Sequence, residues 1–257
     1  MNNLDEVAKL LFNNKSPEEI GQVLINLNRY QLDRLSHIKK YKKLRGLHAE
    51  ILESMKNYIF SGKYDFKKYG DITFPEFIKY SDNFDIEFDI ENDDDVSVFF
   101  ELFLYKNHKK IPSVTEQYIK KNKFRNAEKK KFLECMNNSY VSLFKVVAVD
   151  RDNGYVTYQD VYTKKKFKII DIAMSSSLII SKKREIYTYN RIITYEDISF
   201  ATGIHCNFSS NSKELMKFIK NPIYNKCSDF IRCLLLYDIY KRDSDIKSTY
   251  HHQYGYR

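Results

Sequence analysis

The chain has 257 residues, of which 43% are hydrophobic and 30% are charged, and its formal net charge is +9. This apolar content excludes wholesale disorder, and only 7 Gly and 4 Pro exclude a fibrous or loop-dominated protein. The apolar runs are too short to span a bilayer, and residues 1–9 lack the apolar core of a signal peptide. Because the four cysteines form no CxxC pair, we expect a soluble cytoplasmic protein with free thiols.

The charge is divided unevenly along the sequence. Residues 71–101 contain eleven acidic side chains and one basic side chain, whereas residues 1–70 and 102–137 carry net charges of +5 and +7. A basic surface favours anionic partners such as nucleic acid. The excess of Lys, Asn, Ile and Tyr is also typical of an AT-rich bacterial or phage genome, so composition alone is a competing explanation for the basic charge.

The first region, residues 1–70, has the apolar spacing of helices and carries much of the basic charge. Ser16 and Glu19 form a capping-box pattern that starts a helix, and Pro17 suits its first turn. The apolar face of that helix is predicted from Ile20, Val23, Leu24 and Leu27. A longer helical pattern follows through Ile59, inside which Gly46 suggests a break.

The second region, residues 71–138, combines one strand with helices. Residues Phe84 to Glu91 alternate apolar and acidic side chains without interruption, which predicts a strand with one buried and one acidic face. An aromatic helix follows it. Ser113 begins a second capping box that opens a short helix, and Ala127 to Met136 is predicted to form another.

The third region, residues 139–206, changes to a period of two and predicts an antiparallel β module. Asp152-Asn153-Gly154 is a hairpin signal, and Thr163 begins a second turn. The predicted strands are Val141 to Val149, Tyr155 to Tyr162, Phe167 to Ile172, Ile186 to Thr194 and Ile198 to Ile204. Five short strands with tight turns favour a small curved sheet or partly open barrel.

Residues 207–243 return to a helical pattern, with Ser212 as a helix cap and a second helix from Cys227 to Arg242. Residues 244–257 are polar and are expected to form a flexible tail. The predicted fold class is therefore α+β, with a helical N-terminal half, a small β module and C-terminal helices.

Part of the chain, residues 96–204, resembles a known group of proteins. The resemblance is carried by Phe99-Phe100-Glu-Leu-Phe103, Ile111-Pro-Ser-Val-Thr-Glu-Gln-Tyr118, Ser142-Leu143-Phe-Lys-Val146-Val, Gly154-Tyr-Val-Thr157-Tyr-Gln-Asp160-Val-Tyr-Thr163 and Ser175-Ser-Ser-Leu178. The group consists of uncharacterised bacterial proteins, many of which end in a SEC-C zinc module. This chain has no cysteine cluster for such a module. The resemblance implies the boundaries of the β module and no activity.

No residue pattern indicates catalysis or a cofactor. Cys206, Cys227 and Cys233 have spacings that fit no standard zinc site, and His205 and Cys206 are expected to face opposite sides of a strand. The sequence contains no glycine-rich phosphate loop and no nucleophile motif. We therefore predict no catalytic residue, no metal site and no cofactor, and a protein that is not an enzyme.

Clustered cations are the strongest functional signal, because they release counterions from a phosphate backbone. We predict a nucleic-acid-binding surface, for DNA or RNA, formed by Arg34, Lys39, Lys40, Lys42, Lys43, Arg45, Lys120, Lys121, Lys123 and Arg125. A further cluster, Lys164 to Lys168, is placed at a hairpin tip. Tyrosines and phenylalanines of the β module could stack on bases if they lined its open face.

The first hypothesis is therefore a non-enzymatic nucleic-acid-binding or regulatory protein. A second hypothesis is a protein-interaction module, for example an accessory factor in a phage-defence or mobile-element system. Its docking surface would be the alternating strand, with Asp85, Glu87 and Asp89 on the face presented to a protein partner. An alternating strand at the edge of a sheet can pair with a strand of another chain. The sequence does not decide between these two hypotheses, and it does not indicate an oligomeric state.

Overall fold

A computed structural model describes residues 16–64, 67, 101, 103–105, 111–177, 185–202, 206–222 and 226–242. The helices are α1 (Pro17–Leu32), α2 (Ser36–Tyr58), α3 (Val114–Lys121), α4 (Ala127–Asn137), α5 (Ile172–Ser177), α6 (Lys213–Lys220) and α7 (Asp229–Arg242). The strands are β1 (Tyr140–Asp150), β2 (Tyr155–Asp160), β3 (Lys166–Ile170), β4 (Ile186–Tyr195), β5 (Ile198–Ala201) and β6 (Cys206–Ser209). A π-helical turn, Ile59–Lys63, continues α2. The predicted α+β class is confirmed.

The six strands form one mixed sheet that curves into a partly closed ring. The order is β1-β2-β3-β5-β4, and β4 also pairs with β1, which closes the ring. A ring with an odd number of up-and-down strands must contain one parallel contact, and here β3 meets β5 in parallel at Ile170 and Phe200. The expectation of a purely antiparallel module therefore needs this one correction. β6 pairs with the first half of β4 and runs past residue 206, where the sequence suggested the module ends.

The inner and outer surfaces of the ring are buried by different parts of the molecule. Its interior is filled mainly by apolar side chains that alternate along the strands: Phe144, Val146, Val156, Tyr158, Ile169 and Ile192. The outer surface of β4 and β5 is covered by helices, because Ile193, Tyr195 and Phe200 belong to the same buried cluster as the apolar residues of α2 and α4. The barrel is thus packed inside and is flanked by helices on one side.

The β1–β2 hairpin lies where the sequence predicted it. Its turn spans residues 151–154, and Gly154 has a φ of +70°, which an L side chain rarely adopts. A β carbon added to Gly154 would lie 3.2 Å from Ile38 Cδ1 and 3.4 Å from Leu32 Cδ1. The hairpin turn therefore packs directly against the junction of α1 and α2.

The helix break suggested at Gly46 is wrong. α2 continues through Gly46 without interruption, and the chain bends instead at residues 33–35, between α1 and α2. The bend brings Leu32 and Ile38, which are fully buried, against the hairpin turn at Gly154. A glycine only weakens a helix, whereas tertiary packing of this kind decides where the helix ends.

Two short elements were not predicted. The six-residue helix α5 follows β3 directly, and the four-residue strand β6 carries only two buried side chains, Cys206 and Phe208.

The capping box of Ser16 with Glu19 is confirmed, but Leu24 and Leu27 on the apolar face of α1 remain 53% and 45% exposed. No helix among the described residues is both long enough and apolar enough to cross a membrane.

Replacement of the two glycines by alanine should have opposite effects. A β carbon on Gly46 meets no atom within 4 Å, so Gly46→Ala should stabilise the protein by about 0.5–1 kcal/mol through higher helix propensity. Gly154→Ala should destabilise it by roughly 1–2 kcal/mol because of its positive φ, with the contact to Ile38 adding to that cost. Urea denaturation of both variants measures this difference. Equal shifts of the two midpoints would contradict the assigned helix and turn.

Candidate nucleic-acid interface

The basic residues on α2 contact other parts of the molecule. Lys40 Nζ binds the carboxylates of Glu196 and Asp197 in the β4–β5 turn, and these hydrogen bonds raise the pKa of Lys40. Lys43 Nζ lies 2.7 Å from Glu128 Oε1 on α4. The helix is thereby tied to the barrel and to its neighbouring helix.

The remaining residues of the first predicted cluster are divided between paired and free side chains. Arg45 donates to the carbonyl oxygens of Ala201 and Thr202 at 2.9 and 3.2 Å. Lys42 pairs with Asp33 at 2.8 Å, and Arg34 hydrogen-bonds the Tyr30 hydroxyl and lies over its ring. Lys39 is exposed and forms no ion pair with a described residue. This cluster is mainly a set of intramolecular contacts.

The second predicted cluster has a similar character. Lys120 pairs with Glu116 one turn earlier on α3, and Lys121 donates to the Lys63 carbonyl and lies 5.8 Å from the centre of the Tyr58 ring. Lys123 and Arg125 lie in the exposed connection to α4 and form no ion pair with a described residue. The structure brings none of these four side chains next to the α2 cluster through a direct contact.

The lysines of the β2–β3 hairpin differ from both helical clusters. We define the hairpin cluster as Lys164, Lys165, Lys166 and Lys168, four exposed cations within five residues. None of them forms an ion pair with a carboxylate among the described residues. Their positive charge is therefore available to an external anion, which is not true of Lys40 or Lys43.

Asp160 shapes the turn that presents the hairpin cluster. Its carboxylate accepts hydrogen bonds from the backbone amides of Tyr162 and Thr163, each at 2.7 Å, and from the Tyr140 hydroxyl at 2.6 Å. Burial opposes ionisation of this group, but these hydrogen bonds outweigh it and hold the pKa of Asp160 below its ordinary value. The backbone N–H of Asp160 also donates to the Lys165 carbonyl, which closes the turn.

Two aromatic rings lie beside the hairpin cluster. Lys168 Nζ lies 4.1 Å from the centre of the Tyr155 ring, and Lys165 Nζ lies 4.9 Å from the centre of the Phe167 ring. The His37 imidazole stacks on Tyr155 with a centroid distance of 5.0 Å and an interplanar angle of 9°. Cations held over aromatic rings in this way are attracted to the negative ring faces.

A buried ion pair beneath β4 was not found by the sequence reasoning. Arg191 is 1% exposed, and its Nε lies 3.0 Å from Glu101 Oε1, while its Nη1 donates to Ser139 Oγ. Burial raises the pKa of Glu101, an effect that Arg191 and a hydrogen bond from Thr202 oppose. An arginine in an apolar strand pattern with a partner 90 residues away gives no local sequence signal.

His48 extends this buried polar group. Its Nε2 lies 2.6 Å from the Tyr105 hydroxyl, and the Tyr105 ring lies against the Arg191 guanidinium. Burial, with a smaller contribution from the positive charge of Arg45, lowers the pKa of His48 to about 3. The imidazole is therefore neutral at ordinary pH and has a structural place in the core.

The prediction of no metal site and no nucleophile depends on Cys206, Cys227 and Cys233. Cys206, Cys227 and Cys233 are buried, and burial raises the pKa of the Cys233 thiol to about 12. Within the described ranges, no group of three His, Cys, Asp or Glu side chains is arranged to hold a metal ion. The predicted docking residues Asp85, Glu87 and Asp89, and also His205, lie outside the described residues.

Comparison with known proteins gives one match. Residues 35–250 match a family of unknown function, DUF7986. The chain belongs to this family. The DUF7986 match covers α2, the whole barrel and the C-terminal helices, a longer range than the resemblance over residues 96–204. No curated protein and no solved structure matches the chain, so DUF7986 membership assigns no activity.

The burial of His48 predicts a specific loss of stability in acid. The unfolded chain takes up a proton on this histidine below about pH 6.5, whereas the folded chain resists protonation down to about pH 3. Stability should therefore fall by about 2–3 kcal/mol more for the wild type than for His48→Gln when the pH is lowered from 7 to about 4.5. Urea denaturation of both proteins at the two pH values measures this difference. Parallel losses in the two proteins would show that His48 is not held neutral.

Proposed function

We propose that this protein binds nucleic acid through the β2–β3 hairpin, with the hairpin cluster contacting the phosphates. The observation that carries the proposal is the local excess of charge: four exposed lysines within five residues, with no carboxylate partner among the described residues. Free lysines of this kind bind phosphate by releasing counterions, and each such contact adds to affinity without reading sequence.

The contacts of α2 support this placement over the one expected from the sequence. Lys40 and Lys43 already have carboxylate partners, and Arg45 donates to two backbone carbonyls. Binding of phosphate by these side chains would require the contacts that hold α2 on the barrel to break. Binding of phosphate by the hairpin cluster breaks no ion pair with a described carboxylate. Lys164 would give up a hydrogen bond to the Val161 carbonyl, a contact within the same turn that does not hold a helix on the barrel.

The architecture of the barrel agrees with this site. Its strand order, its closing contact between β1 and β4 and the helix between β3 and β4 resemble the connectivity of the OB-fold, a five-stranded barrel that binds oligonucleotides on the face of its second and third strands. A likeness of architecture carries no function by itself. Here it coincides with the location of the unpaired lysines.

The proposal predicts a salt-dependent affinity that depends on the hairpin. The full chain with Lys165, Lys166 and Lys168 each replaced by Gln should bind a labelled oligonucleotide roughly tenfold or more weakly than the wild type at low salt. The slope of log affinity against log salt should fall by about 2, since about 0.7 is lost for each contact to a single strand. Fluorescence anisotropy at several salt concentrations measures both quantities.

A matched control is available further along the chain, on α6 and just after it. Lys213, Lys220 and Lys226 are also exposed and form no ion pair with a described residue, so changing all three to Gln removes the same charge. This variant should bind within about twofold of the wild type. Equal losses in the two triple variants, or no salt-sensitive binding of DNA or RNA by the wild type, would contradict the proposal.

A further inference from the structure

The contacts of Tyr155 bear on which class of nucleic acid the hairpin would bind. Tyr155 begins β2, and its side chain lies on the outer face of the barrel with those of Thr157 and Gln159, because side chains two residues apart share a face of a strand. Thr157 pairs with Lys168 and Gln159 pairs with Lys166 across the hairpin. Aromatic, amide, hydroxyl and ammonium groups are thus arranged in neighbouring rows on one surface.

The two neighbours of the Tyr155 ring differ in how firmly they are held. His37 is fixed by its position at the start of α2 and by a 2.8 Å hydrogen bond between its Nε2 and the Asn153 carbonyl. Its parallel stacking therefore supports the Tyr155 ring from a rigid helix. Lys168, by contrast, is an exposed and flexible side chain that forms no ion pair with a described residue.

We infer that the ligand is a single-stranded nucleic acid, one base of which stacks on Tyr155 in the place of the Lys168 ammonium. The inference rests on the proposed function. The base contributes its π-face, the displaced ammonium turns toward the adjacent phosphate, and no favourable contact of Lys168 is lost without replacement. Thr157 supplies a hydroxyl group within the same row for the edge of a neighbouring base. The Gln159 amide nitrogen donates to the Lys164 carbonyl, which leaves its amide oxygen as an acceptor for a base.

The preference for single strands follows from the stacking site. In a duplex each base is already stacked between its neighbours, so its π-face is not accessible to a protein ring. An unpaired base can leave its neighbours at little cost and bind an aromatic side chain. The hairpin cluster alone would attract both forms, whereas Tyr155 distinguishes between them.

The test compares one single strand with a duplex of the same length, using the full chain and three proteins: wild type, Tyr155→Leu and Tyr155→Phe. Tyr155→Leu should bind the single strand about tenfold more weakly and should bind the duplex as the wild type does. Tyr155→Phe keeps the ring and should bind both ligands within about twofold of the wild type. DNA and RNA single strands are measured separately, which shows whether the sugar contributes.

A spectroscopic readout accompanies the affinities. A 2-aminopurine base in the single strand should be quenched on binding to the wild type and to Tyr155→Phe, and much less at saturation with Tyr155→Leu. If the wild type binds single strand and duplex equally and quenches no base, the stacking inference is wrong while the proposed function stands. If the wild type binds neither ligand, both are wrong. The wild-type quenching decides the stacking inference even if Tyr155→Leu fails to fold.

Discussion

The packing of α2 against β5 is the interaction on which the rest of the described structure depends. Phe200 of β5 lies between Tyr41 and His48, with ring-centre distances of 5.7 and 6.3 Å, and the Arg45 guanidinium lies 5.8 Å above the same ring. These contacts place α2 against the outer surface of β5, with Lys40 beside the β4–β5 turn. Lys40, Lys43 and Arg45 of α2 therefore have internal partners. On the β2–β3 hairpin, by contrast, four exposed lysines without a carboxylate partner among the described residues lie within five positions.

The buried ion pair of Arg191 with Glu101 contacts the same part of the barrel, and burying its two charges is unfavourable. Removing two charges from water is unfavourable, and the pair recovers this cost only through its close geometry and its further hydrogen bonds to Ser139 and Thr202. Such a pair adds little net stability, but either charge without its partner is strongly unfavourable. The ion pair therefore favours one arrangement of β4 relative to Glu101.

The sequence predicted the elements whose signals are local. The predictions of the hairpin turn that ends at Gly154 and of the caps at Ser16, Ser113 and Ser212 are confirmed, because each depends on residues within a few positions. The internal partners of the basic residues have no local signal. The partners of Lys43 and Lys40 lie 85 and 156 residues further along the chain, so a count of charges could not show that they are neutralised. The unpaired state of the hairpin cluster likewise follows only from the fold.

The proposed contact with nucleic acid is made by the hairpin and not by α2. Hydrogen–deuterium exchange of the full chain, with and without a saturating single-stranded oligonucleotide, tests it most directly. We expect slower exchange in the segment that contains residues 161–168 and little change in residues 36–45. Protection of residues 36–45 with an unchanged hairpin would contradict the account.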